Sequence, residues 1–193
     1  MAAQPQQSFP GYLELIESID HAVRFEAEND IVRELRGALC KLIRSDNVEL
    51  PQEVFQTAEG RYARRELHRS EELGYSVIAM TWGPGQGTPI HDHCGMWCVE
   101  GVWHGELEVV QYDLTQEDGD RFNFREVGAI QAGQGSAGSL IPPHEYHTIK
   151  NAHDDQIAVS VHVYSGCMTN CNVFMPLEGD WYQRQPKSLY LDS

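Results

Sequence analysis

Apolar residues near the start of the chain recur at steps of three and four. Leu13, Ile16, Ile19 and Val23 form one stripe, and Ile31, Leu35, Leu39, Leu42 and Ile43 a second. That period predicts helix over residues 11–46. Glu28-Asn29-Asp30 offer cap candidates between two helices. Pro51 ahead of Gln52-Glu53-Val54-Phe55 predicts a third, short helix with proline in its first turn. After about residue 59 the texture changes. Runs at 75–82, 96–103, 106–113, 122–127, 138–143 and 156–165 are short, rich in β-branched and aromatic residues, and separated by Gly, Pro, Asp or Asn. This spacing predicts a mainly β antiparallel barrel or sandwich. His104-Gly105 reads as a hairpin turn between two of the strands. Residues after Asn172 carry few strand signals and are expected to wrap the barrel or cover its mouth. The 193 residues suit a single domain, 1–193, with a helical segment at 11–58, a barrel at 59–175 and a tail at 176–193.

One strand alternates without a break. Ser160, His162 and Tyr164 face one way, and Val159, Val161 and Val163 the other. A polar row late in a barrel either meets water or lines a cavity. In a cavity, the three side chains can orient one another as a hydrogen-bond relay. His91 and His93, just after a Gly/Pro-rich turn, are also two apart, so on a strand they share a face. Paired imidazoles suggest a metal, but two ligands do not close a site. Of the nine histidines, His21, His68, His104 and His153 are expected to be solvated.

Composition narrows the partners. Hydrophobic residues are 41% and charged residues 22%, ordinary for a soluble globular protein. No apolar run approaches the roughly 20 residues that span a bilayer. The start, "MAAQPQQSFPGY", has neither a basic nor an apolar leader region, so a cytoplasmic location is expected. A net charge of −15 argues against nucleic acid and anionic membrane as partners. A small anionic substrate stays possible, because a pocket can carry a local arginine. The five cysteines are odd in number, so no disulfide framework is expected. Cys94/Cys98 and Cys167/Cys171, two pairs at spacing four, leave a four-thiolate zinc site as an alternative.

Two stretches resemble the motifs of the cupins. Gly85, five residues, His91-x-His93 and then Gly105 is similar to the first motif, with Cys98 where a glutamate is usual. Pro142-x-His144-x-x-His147-x-x-x-Asn151 is similar to the second, with His144 in place of a glycine. The resemblance implies a cupin barrel in which His91, His93 and His147 converge on one metal. Imidazole suits Zn, Cu, Fe and Ni, so ligand type alone does not choose among them. Without the glutamate the ion keeps more positive charge, which favours a bound thiolate. Three ligands also leave positions for exogenous atoms.

A closer resemblance is to the cysteine dioxygenases, thiol-oxidising cupins with a three-histidine iron site. Their pattern is matched, in order, by "RYARREL", "HDHCGMWC", His147 and "SVHVY", over roughly residues 60–175. It implies Fe(II) on His91, His93 and His147, with a small-molecule thiol and O2 as reactants. It implies Cys98 and Tyr164 as a pair able to form a thioether, Ser160 and His162 as orienting groups, and Tyr62 and Arg64 as holders of a substrate carboxylate. Guanidinium matches carboxylate with two parallel hydrogen bonds. Arg65 is adjacent, but Tyr62 at spacing two favours Arg64.

The match departs from the family at two places. "SGCMTNC" follows Tyr164 where the family often has Ser-Pro-Pro. Cys98 has strand parity opposite to His91 and His93, so it reaches the cavity only if the register breaks, as near Gly95. Arg64 resembles the branch acting on L-cysteine, whereas "WGPGQGTPIHDH" resembles the branch acting on 3-mercaptopropionate, which has glutamine at the arginine position. The expected activity is conversion of L-cysteine and O2 to cysteine sulfinate. 3-Mercaptopropionate oxidation and a non-catalytic metal- or ligand-binding cupin are the alternatives. Oligomeric state is left open.

Overall fold

The computed structural model describes residues 8–193. The first seven residues, part of the stretch read as lacking a leader, lie outside it. Two helices, α1 (Tyr12–Val23) and α2 (Glu28–Ser45), precede a short 3-10 turn at Gln52–Phe55. Eleven strands follow: β1 (Ala63–Ser70), β2 (Tyr75–Trp82), β3 (Ile90–His91), β4 (Cys98–His104), β5 (Glu106–Asp118), β6 (Arg121–Gly133), β7 (Ala137–Leu140), β8 (His147–Asn151), β9 (Ala158–Tyr164), β10 (Asn170–Pro176) and β11 (Trp181–Ser188). One sheet has the order β1-β2-β9-β4-β7, and β10-β11-β6-β5-β8-β3 closes on itself. This is the mainly β cupin barrel with N-terminal helices that the motifs imply.

The two faces of the five-stranded sheet explain its sequence. Val159, Val161 and Val163 of β9 point outward, into one core with Val77, Val99 and the buried stripes of α1 and α2. Tyr164 points inward, with Met80 and Trp82 of β2 and Cys98 of β4, against Leu107, Val109 and Ile149 of the closed sheet. Because the helices cover one face, every residue of β2 and β9 is buried. The helix cover sits close. A Cβ on Gly101 of β4 would stand 2.9 Å from Ile43 Cδ1 of α2.

Several expectations are corrected. His104-Gly105 is not a hairpin turn: β4 pairs with β7 and β9, while β5 pairs with β6 and β8. The chain changes sheets there. Gly105 has φ 73°, and a Cβ would meet the Ile157 carbonyl oxygen at 2.7 Å, so the position requires glycine for both reasons. The real hairpin is β5–β6, a long ribbon turning at Gly119. The stretches beyond the predicted runs, 115–118 of β5 and 128–131 of β6, are solvent-exposed, so no apolar alternation advertised their length. Glu28-Asn29-Asp30 do not cap α2. The N-cap is Ala27, and Glu28 and Asp30 lie in the first turn, where their charge favours the positive helix end. The tail contributes β11, which pairs with β10 and β6 inside the closed sheet. Its residues are at most half-buried, which hid the strand. His68 and His153 are half-buried rather than solvated: His68 Nδ1 pairs with Tyr12 Oη at 2.8 Å, and His153 Nε2 with Glu106 at 3.1 Å.

Candidate metal centre

β3 ends at His91 and β8 begins at His147, and the two residues are register partners. Pairing across the ladder therefore places these imidazoles side by side, with ring centroids 4.4 Å apart. His93 lies just beyond β3, its ring 5.2 Å from His91 and 5.1 Å from His147. Between them Asp92 points the other way. Its carboxylate accepts the Asn172 backbone N–H at 2.8 Å and side-chain amide at 2.7 Å, pinning the segment to β10.

One nitrogen on each of the three rings lies within 4.8 Å of the others. The outer nitrogens explain why the facing ones are free. His91 Nδ1–H donates to the Pro89 carbonyl at 3.1 Å and His147 Nδ1–H to the Glu145 carbonyl at 3.0 Å. That fixes the tautomer with an open lone pair on Nε2, as a metal ligand requires. His93 Nδ1 has no hydrogen-bond partner and stands 3.6 Å from the Glu145 carboxylate, which accepts the His93 backbone N–H at 2.7 Å. Burial, and then the neighbouring imidazoles, hold His91 down to about 3 and His147 well below the usual histidine range. The His91 and His147 rings are thus neutral and able to donate. Three converging imidazoles, two of them neutral and held in a fixed tautomer, fit a divalent metal ion.

The lining of the cavity beside the triad includes Tyr62, Arg64, His162 and Tyr164. Arg64 is 3% exposed. Its Nη2 donates to the Met168 carbonyl at 3.3 Å, its Nε has no partner, and no carboxylate side chain pairs with its guanidinium among the described residues. Arg65 turns away and donates to the Gln56 carbonyl at 2.9 Å. Tyr62 stacks on Trp82, centroids 4.5 Å apart.

Ser160, His162 and Tyr164 all face inward. Trp82 Nε1 donates to Ser160 Oγ at 2.9 Å, Ser160 Oγ lies 2.7 Å from His162 Nε2, and His162 Nδ1 lies 3.4 Å from Tyr164 Oη. Burial raises the Tyr164 phenol and the Cys98 thiol well above their usual ranges, and keeps His162 well below its own. Cys98 reaches this face because the register breaks at Cys94 and Gly95, with φ 52° and 78°. The turn resets the parity, and β4 then sets Cys98 opposite Tyr164 of β9.

Two further carboxyls, Glu145 and Glu100, are buried near the site. Glu145, buried behind His93, precedes His147 by two but sits in a bend with no pattern to mark it. Glu100 follows Cys98 by two, so strand parity alone places it on the same inward face. The four paired cysteines do not gather. Cys94 and Cys167 are exposed, and among the described residues no group of three cysteines lies within metal-binding reach.

The fold and the triad together define a cupin whose barrel holds three histidines able to take a metal ion. The family model "Cysteine dioxygenase type I" matches residues 19–176, and the chain belongs to that family. It is similar to "Cysteine dioxygenase type 1" of Rattus norvegicus, 23% identical over 100 residues, covering 52% of this chain and 49% of that one. The Danio rerio protein of the same name matches at the same identity and coverage. The matched stretch thus spans about half the length of these curated relatives. Among solved structures, an RmlC-like cupin from Desulfovibrio desulfuricans is 21% identical, with a TM-score of 0.44 over 62% of this chain and 96% of that one. An oxalate oxidase bound to glycolate has the same TM-score and identity over 61% of this chain and 59% of its own. No helix among the described residues is long and apolar enough to cross a membrane.

Proposed function

We propose that the protein is an Fe(II)-dependent thiol dioxygenase that converts L-cysteine and O2 to cysteine sulfinate. The observation that carries this reading is the buried, carboxylate-free Arg64 guanidinium lining the same cavity as the three converging imidazoles. An unpaired buried cation is costly, and an anionic ligand offsets the cost. The balance is RSH + O2 → RSO2− + H+, so sulfur takes both oxygen atoms and no outside reductant is needed.

His91, His93 and His147 would hold the ion, which supplies a redox centre where thiol and O2 are brought together. Arg64 would bind the substrate carboxylate with two charge-assisted hydrogen bonds, fixing the sulfur end toward the triad. Tyr62, held by its stack on Trp82, forms the wall beside it. Tyr164, oriented by His162 and Ser160, would donate its hydroxyl hydrogen to the reacting end of the substrate. Cys98, opposite Tyr164, would be its thioether partner.

A second reading, 3-mercaptopropionate as substrate, is favoured by one feature. The cavity lining carries no Asp or Glu, so a substrate ammonium has no protein counter-ion there. One assay separates the readings: O2 uptake by iron-loaded protein with each thiol in turn, with sulfinate identified by mass. Faster turnover of L-cysteine supports the first and faster turnover of 3-mercaptopropionate the second. No uptake with either would leave a binding cupin without catalysis.

A further inference from the structure

Glu100 is a buried carboxyl that the proposed reaction does not use. It is 8% exposed, and its Oε2 has no hydrogen-bond partner. Oε2 nevertheless lies 3.4 Å from His162 Nδ1, the same distance as Tyr164 Oη from that nitrogen. Trp82 Nε1 can only donate, so Ser160 Oγ accepts from it. The one hydrogen of Ser160 can then be given to His162 Nε2, 2.7 Å away, the arrangement that turns the imidazole proton toward Glu100. A neutral imidazole that accepts at Nε2 carries its proton on Nδ1. That single N–H faces Tyr164 Oη and Glu100 Oε2, both 3.4 Å from Nδ1, with the Cys98 sulfur farther off at 3.9 Å.

A second observation is independent of the relay. Glu100 and Ser160 line another cavity, of about 50 Å³, between β4–β7 and β5–β6. His162 and Tyr164 line the substrate cavity, and Glu100 does not. The wall of the second cavity includes Ile130, which is 58% exposed, and none of the three triad histidines.

We propose that Glu100 is a positioning residue that acts through His162, competing with Tyr164 for the Nδ1 hydrogen and so setting the donor strength of the Tyr164 hydroxyl. With Glu100 neutral, the N–H donates to Tyr164 Oη and polarises its O–H, making it a stronger donor into the substrate cavity. With Glu100 ionised, the carboxylate attracts the N–H and Tyr164 loses that support. Burial pushes the Glu100 carboxyl up to about 7, so the exchange falls near neutral pH. The titratable groups facing Glu100 are Cys98 from its own strand and His162 and Tyr164 from β9. The rest of the second cavity, from β5, β6 and β7, presents no titratable side chain.

The consequence for turnover rests on the dioxygenase reading, whereas the hydrogen-bond exchange does not, so the test has two arms. The first follows ¹⁵N-histidine resonances of the full chain without added metal, with His162 assigned by its loss in His162→Gln. The Nδ1 signal is expected to move through about pH 7 in the parent and to stay fixed in Glu100→Gln. A signal that does not move in the parent, or moves equally in both, overturns the proposal. The second arm measures kcat of the iron-loaded protein. The parent is expected to lose about fivefold on going from about pH 6 to about pH 8.5, one hydrogen bond's worth, while the variant holds its rate and KM changes less than about twofold. The same alkaline fall in the variant overturns it. If no thiol is turned over, the functional reading fails alone and the resonance arm still decides.

Discussion

His91 and His147 stand directly opposite each other across the β3–β8 pair, and each donates its Nδ1–H to the carbonyl of the residue two before it, Pro89 and Glu145. The two strands thus present imidazoles of the same tautomer, each locked by its own backbone. Removing one imidazole leaves the other two in place, too few to close a metal site. His147→Ala is expected to cut Fe(II) affinity more than about 100-fold, beyond the range seen for loss of a supporting group alone. Metal content after gel filtration checks this. Full iron in the variant would take His147 off the ligand list.

Arg64 is aimed by β1 into the cavity, while its neighbour Arg65 points at Gln56. Arg64→Ala is expected to raise KM for a carboxylate-bearing thiol about 10- to 100-fold, the loss of a charge-assisted pair worth roughly 1.5–3 kcal/mol. Cysteamine lacks the carboxylate and is expected to change less than about twofold. Equal losses for both thiols would show that Arg64 supports the fold rather than the substrate.

Cys98 and Tyr164 are register partners on β4 and β9, both fully enclosed on the inward face. A thioether between them removes two hydrogens. Protein exposed to iron, thiol and O2 is therefore expected to contain a species about 2 Da light by intact-mass measurement, absent from Cys98→Ser. A parent mass that never shifts would mean that the pair stays reduced.

How much of this was legible depends on what each segment buries. The helices announced themselves because one face of each packs on the sheet, leaving Leu35, Leu39 and Leu42 at helical spacing. β9 was readable because its two faces meet different surroundings, valines against helices and polar groups against the cavity. β11 and the exposed extensions of β5 and β6 were not, because exposed ladders need no apolar alternation. At the site, the histidines and Arg64 could be picked out by motif. Glu100 was open to a parity argument once Cys98 was turned inward. Glu145 was not, since its carboxylate reaches the His93 backbone only through the folding of the 141–146 bend.

The close approach of α2 to the barrel depends on the missing side chain at Gly101. A Cβ there meets Ile43 at 2.9 Å and Leu39 Cβ at 3.4 Å, both deep in the helix–sheet core. Gly101→Val is expected to cost about 1–3 kcal/mol of stability by overpacking, with a smaller cost for alanine. Denaturant unfolding measures it. An unchanged midpoint would mean that α2 can slide away at no cost.

Glu100 also bears on stability, apart from any effect on Tyr164. Its carboxyl lies at about 7 in the fold, raised from 4.5 by burial. A raised acid binds its proton more tightly folded than unfolded, so its contribution is fully present below about 4.5 and is lost as pH rises through about 7. The loss levels off above that, at up to roughly 3 kcal/mol for a shift of this size. Glu100→Gln keeps the shape and cannot ionise. Its melting temperature is therefore expected to run level with the parent near pH 4 and to exceed it by up to roughly 6–12 °C near pH 8. A constant gap across that range would mean that Glu100 ionises as freely inside the barrel as in water, and the carboxyl would then be charged throughout the neutral range.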